Sequence, residues 1–264
     1  MTAAALLLAA ALAAGPPAPG ARGAPLRVCL DPNNLPFSNA RGEGLENRLA
    51  ALLARELGRP LEPIWLAQRR GFFRQGLKEG ACDAVMGVPV GLGRALLTRP
   101  YYTSSYVFAW RRGAGPEISS FDDPGLREVV VGVQLPGNDG AATPPGHALA
   151  RRGLVANVRG FPLTADYREP DPPARILDAL VRGEIAVAAV WGPLAGWYAR
   201  RAPIAFRPVR EASDGGLPMR YAIAVAVSPR DPSLRDALDA ALERRRAEVE
   251  RLLADAGVPR VEAP

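Results

Sequence analysis

The chain has 264 residues, of which 48% are hydrophobic, so it is long enough to bury one large core or the cores of two lobes. Its 33 lysine and arginine residues exceed the 27 aspartate and glutamate residues, which gives a formal net charge of +6. These positive residues are spread along the chain and form no basic run interleaved with aromatic residues. Nucleic-acid binding is therefore not expected.

Residues 1–24 have the composition of an export signal with a proline-rich leader. The apolar run from Ala3 to Ala14 has the length of a secretory h-region, and glycine and proline residues follow it. The run is too short to span a bilayer, and we expect no membrane span in the mature protein. A core helix is the alternative, but an alanine-rich helix followed by prolines would have nothing to pack against. We therefore expect an exported protein.

The first strand of the mature chain ends in a polar loop, which is the first candidate working surface. Val28 to Leu30 form a short apolar run, and Asp31 to Asn39 follow it with two prolines that delay any helix. From Gly44 onward leucines recur on one helix face until Gly58, which suits a left-handed position after a helix. Ligands and partners of open α/β sheets meet loops at the carboxyl ends of strands. The alternative is an ordinary surface loop.

The two cysteines predict a disulfide. Cys29 lies in the first strand and Cys82 begins a second apolar run that should form the neighbouring strand. In an exported protein such a pair favours a disulfide bond, and two buried free thiols are the alternative. Two cysteines and one histidine at these spacings make no metal-ligand set.

The first three strands alternate with helices, and this βαβαβ order predicts a parallel sheet with right-handed crossovers. The second lobe repeats the alternation of strands and helices. The predicted strands cover residues 61–66, 82–88, 101–110, 129–134, 154–158, 185–190, 204–209 and 221–227. The predicted helices cover residues 69–78, 144–152, 171–182, 192–200 and 232–256. A glycine-rich break at residues 112–116 suggests a crossing to a second lobe, and Gly215-Gly216 suggests the return. We thus predict one lobe from residues 25–112 plus 221–264 and another from 113–220.

Catalysis is not favoured by the residues. His147 is the only histidine and is predicted in the first turn of a helix, where the helix dipole disfavours a charged imidazole. A triad of His147 with Ser104 or Ser105 would need residues of two lobes and lacks the nucleophile-elbow context. The carboxylates at residues 166–171 lie among arginine and proline, which favours loop-fixing contacts, with Asp171 as the N-cap of its helix. No enzymatic activity is expected.

Several motifs, in order along the mature chain, resemble a known family. They are DPNNLPFSN (residues 31–39), RRGFFR (69–74), CDAVMGVP (82–89), TRPYY (98–102), GVQLPGNDGAATPPGHALARRG (132–153), DYREPDPPARI (166–176) and AAVWGPLAGW (188–197). The layout and the TRPYY run resemble the type II periplasmic solute-binding proteins of family 3. The other motifs resemble the J component (MxaJ/XoxJ type) of methanol dehydrogenase gene clusters. The resemblance implies an α/β, two-lobed type II periplasmic binding protein fold with two chain crossings and the C-terminal helix on the first lobe.

The resemblance also bears on the ligand. Amino-acid-binding relatives hold the substrate carboxylate with an arginine after the third strand and its ammonium with an aspartate of the second lobe. Counting from Gly87 places Arg94 at the arginine position, whereas Trp191 stands where the aspartate is expected. An indole cannot neutralise an ammonium. An α-amino acid ligand is therefore disfavoured.

Two functions from different classes remain open. The first is a non-enzymatic periplasmic accessory protein of a PQQ-dependent methanol dehydrogenase, of the calcium or lanthanide type, that assists maturation or activation. Its partners would be the large subunit of the enzyme and its cytochrome c; no cofactor would be held permanently, and contact with PQQ or the enzyme's metal would be transient. The second is a solute-binding protein of a transporter for a small molecule other than an ordinary α-amino acid. For either function we expect an interlobe cleft lined by Asn33, Asn34, Phe37, Pro89, Arg94, Tyr101, Asn138, Asp139, His147, Tyr167, Arg168 and Trp191.

Overall fold

A computed structural model describes residues 23–69, 71–91, 95–136, 141–163 and 171–262. Its strands are β1 (Leu26–Leu30), β2 (Asn33–Asn34), β3 (Ser38–Asn39), β4 (Leu61–Trp65), β5 (Ala84–Pro89), β6 (Leu96–Leu97), β7 (Tyr102–Arg111), β8 (Val131–Leu135), β9 (Val158–Pro162), β10 (Val187–Trp191), β11 (Ile204–Pro208), β12 (Ser213–Asp214), β13 (Leu217–Pro218) and β14 (Arg220–Val227). Its α-helices are α1 (Leu45–Glu56), α2 (Pro144–Arg151), α3 (Arg175–Arg182), α4 (Gly192–Ala199), α5 (Pro232–Arg244) and α6 (Arg246–Asp255).

One mixed sheet joins the two halves of the molecule. Its strands follow the order β4-β1-β5-β14-β7-β10-β8-β9, with β6 paired to β14 and β11 paired to β7. The strands β4, β1 and β5 are parallel to one another, and so are β10, β8 and β9. The long strands β14 and β7 run antiparallel to their neighbours and connect these two parallel groups. The mixed α/β fold expected from the sequence is confirmed.

Strand β7 changes partners along its length. Tyr102 to Ser105 pair with β14, whereas the residues from Tyr106 onward pair with β10 and β11. We call the strands on the β14 side the first half-sheet and those on the β10 side the second half-sheet. The chain passes from the first to the second between Ser105 and Tyr106, ahead of the glycine-rich break at residues 112–116. The lobe boundaries given above stay a prediction.

Helix α1 packs its leucine face on the first half of the sheet. Leu49 and Leu53 are fully buried there, together with Leu238 of α5 and Leu253 of α6. The C-terminal helix predicted over residues 232–256 is divided at Arg245, whose Nε donates to Glu56 Oε2 of α1 at 2.6 Å. The C-terminal helices thus lie on the first half of the molecule, as predicted.

Three further predicted elements differ from the structure. The strand predicted over residues 154–158 begins only at Val158, because the chain makes a turn after α2 in which Gly153 has a φ of +71°. The helix predicted over 69–78 is a five-residue π-helix, Arg74–Lys78. The helix predicted from Asp171 begins with a 3-10 turn, Pro172–Ala174, before α3.

The predicted disulfide between Cys29 and Cys82 is confirmed. The two Cα atoms are 5.5 Å apart, and both side chains are buried. Gly76 of the π-helix lies against the bond, since a Cβ at this position would be 2.9 Å from Cys29 Sγ. The bridge therefore joins β1 to the loop before β5 beneath a close-packed helical turn.

We predict that loss of this bond lowers the free energy of unfolding by about 4 kcal/mol, because the bond closes a loop with a sequence separation of 53 residues in the unfolded chain. The measurement is urea unfolding of the wild type and of the Cys29→Ala, Cys82→Ala variant. Reductant should reproduce the loss in the wild type and leave the variant unchanged. Two titratable thiols in the unfolded, non-reduced protein would contradict the assignment.

Candidate functional site

A cleft of about 500 Å³ opens where the two half-sheets meet. The first half contributes Asn33, Asn34 and Phe37 from the loop after β1, and Pro89 at the end of β5. The second half contributes Trp191 at the end of β10. These five predicted site residues converge because their strands all end at this edge, as expected for open α/β sheets.

Two other predicted cleft residues, Tyr101 and His147, do not line the cleft. Tyr101 lies in the core of the first half, where its hydroxyl accepts a hydrogen bond from the Gly87 N–H at 3.2 Å. Its neighbour Tyr102 lines the cleft instead. His147 is exposed on α2 and does not line the cleft. The remaining predictions, Arg94, Asn138, Asp139, Tyr167 and Arg168, lie outside the described residues.

Three aromatic rings form one wall of the cleft at the junction of the half-sheets. The Trp191 ring packs edge-on against Tyr106 of β7, with centroids 5.4 Å apart, and against Tyr221 of β14, with centroids 5.8 Å apart. Strand pairing fixes this arrangement, because Trp191 is the register partner of Tyr106. Burial raises the pKa of both tyrosines, so the wall is uncharged at neutral pH. Such a wall favours apolar and aromatic groups over a small charged solute.

An acidic pair lies deeper in the cleft. Asp31 follows β1, and its carboxylate is held by the N–H groups of Asn33, at 2.8 Å, and Gln68, at 2.6 Å. Glu46 lies in the first turn of α1 and is only 8% exposed, yet its side chain lines the cleft. Burial and the nearby charge of Asp31 together raise the pKa of Glu46 to about 8. Glu46 is therefore largely protonated at neutral pH.

Position 87, beside the carboxyl group of Glu46, requires a glycine. Gly87 of β5 has a φ of +68°, and a Cβ there would collide with Glu46 Oε1. Sequence reasoning missed Glu46, although a signal was present. Glu46, Leu49 and Leu53 recur at the three- and four-residue spacing of one helix face, so a helix packed through these leucines also buries the glutamate.

The two halves touch across the cleft at Asn33. The backbone N–H of Asp171 donates to Asn33 Oδ1 at 3.3 Å. Asp171 has a left-handed backbone, with φ of 49° and ψ of 63°, and makes no side-chain cap to the helix that follows. Asp171 therefore stands at the predicted N-cap position, ahead of Pro172, but its side chain does not make the capping hydrogen bond. Burial is the main cause that raises the pKa of Asp171 to about 6.

Metal binding and membrane insertion find no support in the part of the chain that the structure describes. Its residues contain no cluster of three or more His, Cys, Asp or Glu side chains that could hold a metal ion. Among the same residues, no helix has both the length and the apolar character needed to cross a bilayer.

Comparison with known proteins identifies relatives over most of the chain. A protein named MoxJ from Methylorubrum extorquens AM1 is 33% identical over 244 residues, which cover 89% of this chain and 81% of that protein. The crystal structure of the periplasmic binding protein XoxJ from Methylobacterium extorquens AM1 is 30% identical, with a TM-score of 0.73, and the match covers 90% of this chain and all (100%) of XoxJ.

A second solved structure has the same fold. The crystal structure of MxaJ from Methlophaga aminisulfidivorans MPT is 25% identical, with a TM-score of 0.74, and the match covers 89% of this chain and 100% of MxaJ. No protein-family model matches the chain.

We predict that the burial of Glu46 makes stability depend on pH. A carboxyl whose pKa is raised on folding binds its proton more tightly in the folded state. The stability that comes from the protonated carboxyl group of Glu46 is therefore lost as pH rises from the unfolded pKa near 4.5 through the folded pKa of about 8. Glu46→Gln has no such proton to lose, so the variant should gain stability relative to the wild type between pH 5 and pH 9, by at least about 1.4 kcal/mol, the equivalent of one pKa unit.

Urea unfolding at both pH values measures this difference. Glu62→Gln, at an exposed position of β4, is the matched control and should show little change. A difference between Glu46→Gln and wild type that is the same at pH 5 and pH 9 would show that Glu46 is ionised normally.

Proposed function

Because the chain belongs to the family of the MoxJ, MxaJ and XoxJ proteins, we propose that it is a non-enzymatic periplasmic accessory protein of a PQQ-dependent methanol dehydrogenase. In this role it binds the large subunit of the enzyme, or the region around its cofactor, and assists maturation or activation. The observation that carries the proposal is the aromatic wall of Trp191, Tyr106 and Tyr221 in the cleft.

The lining of the cleft supports a protein segment as the occupant. Aromatic residues are enriched at the hot spots of protein interfaces, where they fill pockets and exclude water. Besides the aromatic wall, Phe37 and Phe73 line the cleft, and Phe73 is 41% exposed. Trp191 offers no charge for the ammonium group of an amino acid.

The proposal of a non-enzymatic role is supported by the arrangement of the groups that could act in catalysis. Ser104 donates its hydroxyl hydrogen to the carbonyl of Pro259 at 2.7 Å, and Ser105 is completely buried. His147 is exposed on α2. A nucleophile needs a general base within hydrogen-bond reach, and neither serine donates to this histidine.

A periplasmic location is supported by three observations. The sequence begins with a segment of export-signal composition, the chain has a disulfide bond, and its relative XoxJ is described as a periplasmic binding protein. Disulfide bonds persist in the bacterial periplasm and are rare in the cytosol of mesophiles. Contact with the dehydrogenase's cytochrome c, with PQQ or with its metal would be transient, and no cofactor would be held permanently.

A second candidate function is a solute-binding protein of a transporter. The volume of the cleft, about 500 Å³, lies within the range of small-molecule sites. The aromatic lining, with Trp191 where an ammonium-binding aspartate is expected, would then select a solute other than an ordinary α-amino acid.

We predict that truncating the aromatic lining weakens binding of the dehydrogenase. The Phe73→Ala, Trp191→Ala variant and the wild type would be immobilised and compared for capture of the purified quinoprotein methanol dehydrogenase of the same organism. Loss of two aromatic anchors should reduce affinity by at least about tenfold, because hot-spot residues each contribute about 2 kcal/mol or more.

Trp65→Ala is the matched control for this experiment. Trp65 is 40% exposed on β4 and does not line the cleft, so its loss should leave capture unchanged. Circular dichroism and melting curves would establish that each variant is folded. Undiminished capture by a folded double variant would place the partner surface outside the cleft.

A further inference from the structure

A second groove, of about 440 Å³, lies on the first half of the molecule. The π-helix contributes Leu77 and Lys78 to it, and the turn between β14 and α5 contributes Pro229 and Arg230. Phe73, which precedes the π-helix, lines both this groove and the cleft. The two surfaces therefore adjoin at the Phe73 ring.

The apolar part of the groove is held firmly although it is accessible. Phe73 is 41% exposed, whereas Leu77 is buried. The Phe73 ring packs edge-on against Phe72, with centroids 5.7 Å apart, and Phe72 belongs to the buried cluster around the disulfide. An exposed apolar group bordered by charged residues is typical of an interaction site.

The fold fixes both elements that form the groove. Gly76 leaves no room for a side chain, since a Cβ there would be 2.9 Å from Cys29 Sγ, so the π-helix lies directly on the disulfide. At the other element, Asp231 Oδ1 accepts from the Leu234 N–H at 2.9 Å, which caps α5 and holds the turn that carries Arg230. A preorganised surface of this kind loses little conformational entropy on binding.

The charged residues that line the groove, among those described, are Arg74, Lys78 and Arg230. Arg74 is paired with Glu79, Nη1 to Oε1, at 2.7 Å. Lys78 and Arg230 are exposed, and neither side chain forms an ion pair or a hydrogen bond with another described residue. Ala95 also lines the groove, and the residues before it in the sequence, 92–94, are leucine, glycine and arginine, so they add no acid. The groove therefore presents positive charge beside an exposed phenyl ring.

We propose that this groove binds an acidic segment of a protein partner, with an apolar side chain of the segment against Phe73. Aspartate or glutamate carboxylates pair with Lys78 and Arg230, which have charge and donors to offer. A segment that leaves the cleft past Phe73 meets the groove at once, because both surfaces share this ring. The inference goes beyond the proposed function, since it assigns a second surface and the chemistry of what that surface binds.

The test is titration of the isotope-labelled mature chain with the blocked peptide acetyl-Glu-Asp-Leu-Phe-Asp-Glu-amide, followed by NMR at low ionic strength. The matched probe, acetyl-Gln-Asn-Leu-Phe-Asn-Gln-amide, has nearly the same shape and no charge. We expect the amide signals of Leu77, Ala95 and Ser228 to shift. The acidic peptide should bind about tenfold more tightly than the uncharged one, as two exposed ion pairs predict when salt does not screen them.

Two double variants assign the preference to the groove. The Lys78→Gln, Arg230→Gln variant should lose the preference for the acidic peptide, because these side chains supply the unpaired charges. The Arg48→Gln, Arg251→Gln variant makes the same change in net charge at two exposed positions that do not line the groove, so it should retain the preference. Equal loss in both variants would show that net charge alone attracts the peptide and would overturn the inference.

Other occupants of the groove give different results. Equal binding of the two peptides by the wild type would overturn the inference, as would no binding at all, and this comparison stands even if a variant fails to fold. Citrate that shifts the same amide signals at concentrations as low as the acidic peptide would assign the groove to small anions and overturn the inference. The same shifts on concentrating the protein alone would assign the groove to a second copy of the chain and likewise overturn it.

Capture of the dehydrogenase separates this inference from the proposed function. Capture without any preference for the acidic peptide would overturn the inference and leave the proposed function standing. Preference for the acidic peptide without capture would support the inference and contradict the proposed partner. Where both occur, the Lys78→Gln, Arg230→Gln variant should also bind the dehydrogenase with a lower association rate, since exposed charges at an interface act mainly on that rate.

Discussion

The cleft depends on the pairing of β7 with two different sets of strands. The first residues of β7 pair with β14, and the later residues pair with β10 and β11. Backbone hydrogen bonds therefore fix the distance and register between the halves at this junction. Because Trp191 is paired with Tyr106, the aromatic wall forms where the half-sheets join.

This arrangement explains why the cleft combines two kinds of surface. The wall of aromatic rings comes from the junction strands, whereas the acidic pair comes from the end of β1 and the start of α1. Gly87 permits the close approach of Glu46, since a side chain there would collide with the carboxyl group. The wall provides the apolar area on which the proposed function depends.

Much of the fold could be predicted from the sequence because it follows from local patterns. The leucine spacing of α1, the apolar runs of the parallel strands and the Cys29–Cys82 pair each predicted a feature that the structure contains. The strand predicted over residues 154–158 was placed too early in the chain. The real strand, β9, contains glycine and proline and lies at the sheet edge, where periodicity is weak.

The candidate site was harder to predict because its details depend on tertiary contacts. Tyr101 and Tyr102 are neighbours in extended chain, so only the sheet decides which of them faces the cleft. Asp171 follows the rule for a helix cap in sequence, yet the 3-10 turn after it moves the start of the α-helix to Arg175. No prediction singled out Glu46, although its spacing from the leucines of α1 carried the information.

If the cleft itself receives the dehydrogenase, as proposed, a site-specific photo-crosslink from the cleft lining tests this most directly. p-Benzoylphenylalanine would be placed at Asn34, which is half-buried in the cleft lining, and in a second protein at the exposed Glu62 of β4. Irradiation of each with the dehydrogenase should give a covalent complex from the Asn34 position and none from the Glu62 position. A crosslink from Glu62 with none from Asn34 would contradict the account.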